Sequence, residues 1–279
     1  MDSDSITVAH SPDSDDAFMF YALAEGRVDT EGLAFTHELG DIESLNRRAL
    51  AGELAVTAVS FHAYAHLADR YLLLPHGASF GDGYGPVVVA RGPVSREEIA
   101  RGGTAVGSPG KLTTAALALS LWAPGVRTEV LSFDTILPAV LDGRLSAGVL
   151  IHEGQLTYRK EGLTEVVDLG RWWKEETGLP LPLGGNVVRR DLGPETIGRI
   201  SRALSRSIEY GLEHREAALS HAMRYARGLD RSSADRFVGM YVNSWTRSYG
   251  PEGRRAVQVL LDRAHAAGLI PAVTAEYAE

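Results

Sequence analysis

With 279 residues, 44% of them hydrophobic and 23% charged, the chain carries apolar material for one large or two moderate packed domains and shows no compositional sign of disorder. Its formal net charge of −8, without any Lys/Arg-rich block, excludes the electrostatic footprint of a non-specific nucleic-acid binder, although local backbone N–H groups or a local cation can still hold an anionic ligand. The absence of cysteine excludes disulfides, a thiolate nucleophile and Cys-based zinc sites, and no apolar run reaches the roughly 18–20 residues that span a bilayer.

The start, Met1-Asp2-Ser3-Asp4-Ser5, is acidic and polar and lacks the cationic start and apolar stretch of a secretory signal, so a cytoplasmic protein is expected. From there the chain repeats short apolar runs, polar junctions and amphipathic segments, the pattern of βα units. Ile6 to His10 reads as a buried strand, Ser11 to Asp15 as its loop, and Asp16 to Ala24 as a helix with Phe18, Tyr21 and Ala22 facing inward. Leu54 to Val59 is a second strand, ending at Ser60 and leading into a helix over Phe61 to Asp69. Gly81 to Pro86 is turn-rich, and Val87 to Arg91 behind it is a β-branched strand suited to cross between lobes.

Thr104 to Gly107 is a third strand, followed by the loop Ser108 to Leu112 and a helix over Thr113 to Trp122. Ser146 to Ile151 is a fourth, with His152-Glu153 opening a short helix toward Tyr158. Leu179 to Gly185 is a second Pro/Gly-rich crossing, and Asn186 to Arg190 a short strand after it. Helices are expected over Glu195 to Glu213, Ser233 to Arg247 and Glu252 to Ala267, broken at Gly228 and at Gly250-Pro251. Two crossings give an α/β chain of two lobes with open mixed sheets: 1–90 plus 187–279 as a discontinuous first lobe and 91–186 as the second.

In open α/β sheets ligands sit beyond the carboxyl ends of the strands, so the junction residues are the candidates: Asp16 and Ser60 from the first lobe, Thr113, Thr114 and His152 from the second. His152 ends a buried strand, and an imidazole there can take and return a proton near neutrality, although a lone histidine is more often structural. Glu153 reads as a first-turn charge favoured by the helix dipole, or as an orienting partner for His152. Thr113 reads first as a helix cap, with a carboxylate-binding role for the Thr113-Thr114 pair beside it. Asp13, Asp15 and Asp16 read mainly as turn and cap residues, with Asp16 nearest the helix start.

Other patterns fail. Gly110-Lys111-Leu112-Thr113 is no phosphate loop, because Ala105 stands where the first glycine belongs and Leu112 separates lysine from hydroxyl. His62 and His66 share a helical face without completing a metalloprotease motif, and the aspartates lack the glycine and distal glutamate of a calcium loop. Neither a Gly-x-Ser-x-Gly elbow nor a dinucleotide fingerprint is present, and Trp172-Trp173 is expected to pack against the sheet.

Taken together, several segments resemble the 1,4-dihydroxy-6-naphthoate synthases of the futalosine route to menaquinone. They are Ser11-Pro12 with Asp16, Phe18 and Phe20 to Leu23; Glu43 to Asn46; Gly85 to Pro93; Thr113-Thr114; Ile151 to Glu153; Val167 to Gly170; and Thr177 to Gly184, in family order over almost the whole chain. The resemblance implies a fold like type II periplasmic binding proteins and a lyase that takes cyclic dehypoxanthine futalosine to the dihydroxynaphthoate, with the residue at His152 as base and hydroxyls at Ser60, Thr113 and Thr114 lining the cleft. It implies neither metal nor organic cofactor. The first loop departs from the family's Ser-Pro-Cys-Pro-Asn-Asp-Thr, reading Ser11-Pro12-Asp13-Ser14-Asp15-Asp16-Ala17, and an added carboxylate opposes a carboxylated ligand.

The alternatives are a solute-binding protein that captures a small organic anion without turnover, and a chorismate dehydratase of the same fold. A small anionic molecule is the expected partner, with neither nucleic acid nor membrane, and base rates for such enzymes allow a homodimer.

Overall fold

The computed structural model describes residues 5–226 and 229–279. The helix break expected at Gly228 and the first four residues lie outside them. Two twisted sheets organise the chain. The first has the order β2 (Ala34–Leu39), β1 (Ser5–His10), β3 (Val56–Ser60), β11 (Leu181–Arg189), β4 (Tyr71–Leu73), with β5 (Ser79–Gly81) also paired to β11. The second has the order β10 (Thr164–Asp168), β6 (Val87–Ala90), β9 (Ala147–Leu150), β7 (Ala105–Ser108), β8 (Arg127–Val130).

The four strands expected from the βα pattern run parallel within their sheets, β1 with β3 and β7 with β9, and two strands not singled out in the sequence join them in parallel, β2 beside β1 and β8 beside β7. The strands that follow the crossings, β6 and β11, lie antiparallel to their neighbours. Parallel pairing sends the carboxyl ends of β1 and β3, and those of β7 and β9, to the same edge of their sheets, and at that edge the helices begin.

The crossings fall a few residues from where the pattern put them. β6 does not span between sheets: it hydrogen-bonds to β9 and β10, so the chain has already crossed in the loop after Gly81. The return is made before Leu181, and the Pro/Gly-rich stretch expected as a loop is strand. Pro182 is tolerated there because the β11–β5 register shifts between Pro182 and Gly184, relieving the ladder where proline has no N–H to give. The segment expected as one helix over Ser233 to Arg247 is two, Arg231–Tyr241 and Ser244–Arg247, because Asn243 starts a new helix with a reciprocal capping box to Thr246. The helix after β3 is short, Phe61–Tyr64, and continues as turns.

Apolar side chains pack on both faces of each sheet. Helices Ser14–Ala24 and Pro194–Glu213 cover the outer face of the first sheet through Phe18, Met19, Ile200 and Leu204. Helix Phe133–Leu141 covers the second through Ile136 and Val140. A larger cluster runs through both sheets, joining Phe61, Tyr64 and Phe80 to Val88, Val106, Leu119 and Trp173. Trp173 is fully buried and Trp172 half-buried against the same cluster, as expected from the packing reading.

The first crossing touches the start of helix Leu169–Thr177 backbone to backbone. Asp168 caps helix Leu169–Thr177 by accepting from the N–H groups of Gly170 and Arg171, which lays Gly170 against Tyr84 and Gly85. A Cβ built on Gly170 would lie 1.8 Å from the Tyr84 carbonyl oxygen. Gly170→Ala is therefore expected to destabilise the protein by about 1–3 kcal/mol or more, read as a lowered urea midpoint at unchanged slope.

Candidate active site

Between the carboxyl edges of the sheets lies a cavity of roughly 790 Å³, part of it open to solvent. Asp16, Ser60, Thr113, Thr114 and His152 all line it, two from the first sheet's junctions and three from the second's. Ser11, Asp13, Asp15, Gln155, Asn186, Phe237 and Tyr241 complete most of its polar and aromatic wall.

His152 stands two residues beyond the end of β9 and adopts a left-handed backbone conformation, φ 59°, which turns its ring out of the strand direction. The ring packs edge-on against Phe133, with centroids 4.7 Å apart, and its Nδ1 lies 3.0 Å from Asp13 Oδ2. Asp13 comes from the opposite sheet, at the N-cap position of helix Ser14–Ala24, yet its carboxylate makes no capping bond and is instead held by the Ser11 hydroxyl and His152. Its side chain is 1% exposed and that of His152 17%.

The electrostatics follow from this placement. Burial pulls the imidazole toward its neutral form, but the Asp13 carboxylate, through charge and hydrogen bond, outweighs it, and Glu153 and Asp15 add to the effect; the pKa rises to about 9. Burial pushes the Asp15 carboxyl up to about 7, helped by the negative charge of Asp13. Asp16 is raised well above the usual carboxylate range, first by burial and then by Asp15 and Asp13, against the opposing hydrogen bond from Ser11 N–H at 2.7 Å. Behind it, burial lowers His10 to about 4, and this neutral ring bonds onward to His37 at 3.1 Å.

The hydroxyls have structural work as well as cavity faces. Thr113 caps helix Thr114–Trp122, accepting from Ala116 N–H at 3.2 Å and donating to Gly110 O at 3.0 Å. Thr114 donates to Leu183 O at 2.6 Å. The cap reading of Thr113 therefore describes its hydroxyl, and its position on the cavity comes with it. Ser60 N–H donates to Asn46 Oδ1 at 3.0 Å, and Asn46 Nδ2 reaches both Ser60 Oγ and Leu112 O at 3.3 Å. His62 meets Thr113 O through Nδ1 at 3.2 Å.

Two contacts hold the sheets face to face on either side of the cavity. Glu43, in helix Ile42–Leu50, accepts from Leu112 N–H at 3.0 Å and fills the space that a side chain at Gly110 would take. On the other side Tyr241 donates to Gln155 Oε1 at 2.6 Å.

Sequence reasoning reached the five junction residues and missed Asp13 as the partner of His152, along with Gln155, Phe237 and Tyr241. Asp13 looked like turn chemistry because its partner is remote in sequence. The aromatic pair lies on one face of a helix whose spacing signals only packing.

A family model described as menaquinone biosynthesis matches residues 6–266. A curated 1,4-dihydroxy-6-naphthoate synthase from Thermus thermophilus is 44% identical, covering 95% of this chain and 96% of its own length. One from Streptomyces coelicolor is 39% identical, covering 98% and 97%. A crystal structure of a protein from Archaeoglobus fulgidus, 48% identical, superposes with a TM-score of 0.91 over 97% of this chain and 100% of that one. The alkanesulfonate-binding protein of Xanthomonas axonopodis pv. citri shares only 12% identity but superposes with a TM-score of 0.69 over 97% of this chain and 96% of its own. That likeness is one of fold: the two-sheet architecture is that of periplasmic binding proteins. Among the described residues no helix is long and apolar enough to cross a membrane.

Asn46 is fully buried and holds Ser60 against the Leu112 loop through three hydrogen bonds. Asn46→Ala is expected to cost about 1–3 kcal/mol through the unsatisfied Ser60 N–H, and to weaken ligand binding by releasing the Ser60 hydroxyl. Thermal melting with and without ligand measures both effects.

Proposed function

The chain belongs to the menaquinone biosynthesis family, and we propose that it is a 1,4-dihydroxy-6-naphthoate synthase in which His152 is the general base. The substrate is cyclic dehypoxanthine futalosine, and the reaction is a carbon–carbon lyase step that ends in an aromatic dihydroxynaphthoate. Aromatisation requires loss of a proton from carbon, and a positioned imidazole is the group suited to take it. With Nδ1 turned to Asp13, Nε2 is the nitrogen left to the cavity. Ser60, Thr113, Thr114 and Asp16 are the substrate-lining residues in this reading, and Tyr241 and Phe237 supply an apolar wall for a ring system.

The single observation that carries the reading is the aspartate–imidazole pair at the cavity wall. Solute-binding relatives of the fold need only donors for an anion, and a buried proton-exchanging pair adds nothing to simple capture. Each sheet with its helices is one lobe in this view, with crossings after Gly81 and before Leu181, and the enzyme works in the cytoplasm.

Incubation with cyclic dehypoxanthine futalosine and, separately, with chorismate, followed by ultraviolet absorbance, tests the assignment: product is expected from the former alone, and turnover of chorismate alone would replace it with a dehydratase. His152→Ala should lower kcat by at least about 100-fold while retaining substrate binding. A base acts in its unprotonated form, and at about pH 7 the free enzyme's imidazole, with a pKa of about 9, is largely protonated. The profile of kcat/KM should therefore climb as pH rises toward about 9 and level off above it, whereas a falling limb in that range would assign His152 as an acid.

A further inference from the structure

We propose that Asp13 is the positioning residue of the site: a carboxylate delivered from the opposite sheet that fixes the tautomer, orientation and charge of His152. The proposal rests on His152 as the proton acceptor and adds the group that makes it one. The geometry is specific. Asp13 stands at a helix N-cap, where aspartate ordinarily bonds to the backbone N–H groups of the first turn, and it makes no such bond. Its Oδ2 instead receives the Ser11 hydroxyl and stands 3.0 Å from His152 Nδ1.

An Nδ1–H held by a carboxylate has one consequence for the other nitrogen: the neutral ring presents the lone pair of Nε2, and the ring cannot flip without losing the bond. When Nε2 takes a proton, the resulting imidazolium is stabilised by the charge already beside it. The edge of Phe133 and the left-handed backbone at residue 152 restrict the ring further. The remaining polar and charged groups around it include Asp15 and Asp16 from the helix that Asp13 precedes, Glu153 and Gln155 from its own segment, and Tyr241 from helix Arg231–Tyr241. Asp15, Asp16 and Glu153 contribute charge at a distance, and Asp13 alone of the three first-loop aspartates is the group at hydrogen-bond distance from the ring.

The test compares wild type with Asp13→Asn, Asp13→Glu and His152→Ala. In ligand-free protein the His152 ring is titrated by NMR with labelled histidine, its resonance assigned by its loss in His152→Ala. Asp13→Asn is expected to move the titration down by more than one pH unit, to move the rising limb of kcat/KM down with it, and to lower kcat by about 10- to 100-fold with KM changed less than about threefold. Asp13→Glu, which restores the charge, is expected to return the titration and the limb toward wild type. An unchanged titration and limb in Asp13→Asn overturns the proposal, and so does a wild-type ring that titrates at or below the ordinary histidine value, a result that needs no variant. Full turnover in His152→Ala overturns the base assignment and with it any catalytic meaning of the pair; loss of turnover there, with Asp13→Asn unaffected, overturns the role of Asp13 alone.

Discussion

An ion pair whose two members come from different sheets is the constraint on which the site depends. Asp13 leaves the end of β1 and His152 the end of β9, so their 3.0 Å contact exists only while the two sheets face each other. Removing a carboxylate and an imidazolium from water is costly unless each is matched, and a pair split between lobes would leave each member beside solvent with its ordinary protonation. The contacts that flank the cavity, Glu43 to Leu112 N–H and Tyr241 to Gln155, bear on the pair for that reason, since they hold the apposition that it requires.

The same pair answers the electrostatic objection raised by the first loop. Three aspartates within four positions appear hostile to an anionic ligand. In the folded site, however, burial and mutual repulsion drive Asp15 and Asp16 toward their neutral forms, and Asp13 faces a protonated imidazole. The loop's formal charge is therefore larger than the charge a ligand meets.

Much of the architecture was legible because parallel βα units repeat one simple pattern. The four junctions after β1, β3, β7 and β9 could be read from apolar runs ending in polar residues, and all five residues taken from them line one cavity. What escaped was whatever depends on tertiary pairing. Strand β11 runs through Pro182 because its partner shifts register there, a fact stored in β5 rather than in the Pro/Gly-rich sequence itself. Asp13 was indistinguishable from an ordinary cap, because local sequence specifies where its backbone goes but not that its carboxylate turns toward another sheet. Tyr241 and Phe237 carried no separate signal, since the face of a helix that packs on a core and the face that walls a cavity have the same spacing.

The backbone at His152 shows why the imidazole sits where it does. A residue with a side chain in the left-handed region costs roughly 1–2 kcal/mol, and glycine at that turn would remove the strain. Glycine would also remove the ring. The left-handed residue stands two positions beyond the end of β9, and its side chain lines the cavity instead of continuing along the sheet. An extended residue there would carry its side chain along the alternation of β9, toward one face of the sheet and away from Asp13. The contact with the Phe133 edge and the charge-assisted bond to Asp13 are then the interactions that offset the strain, and both depend on the ring. A purely architectural turn would have no need of a histidine in this conformation.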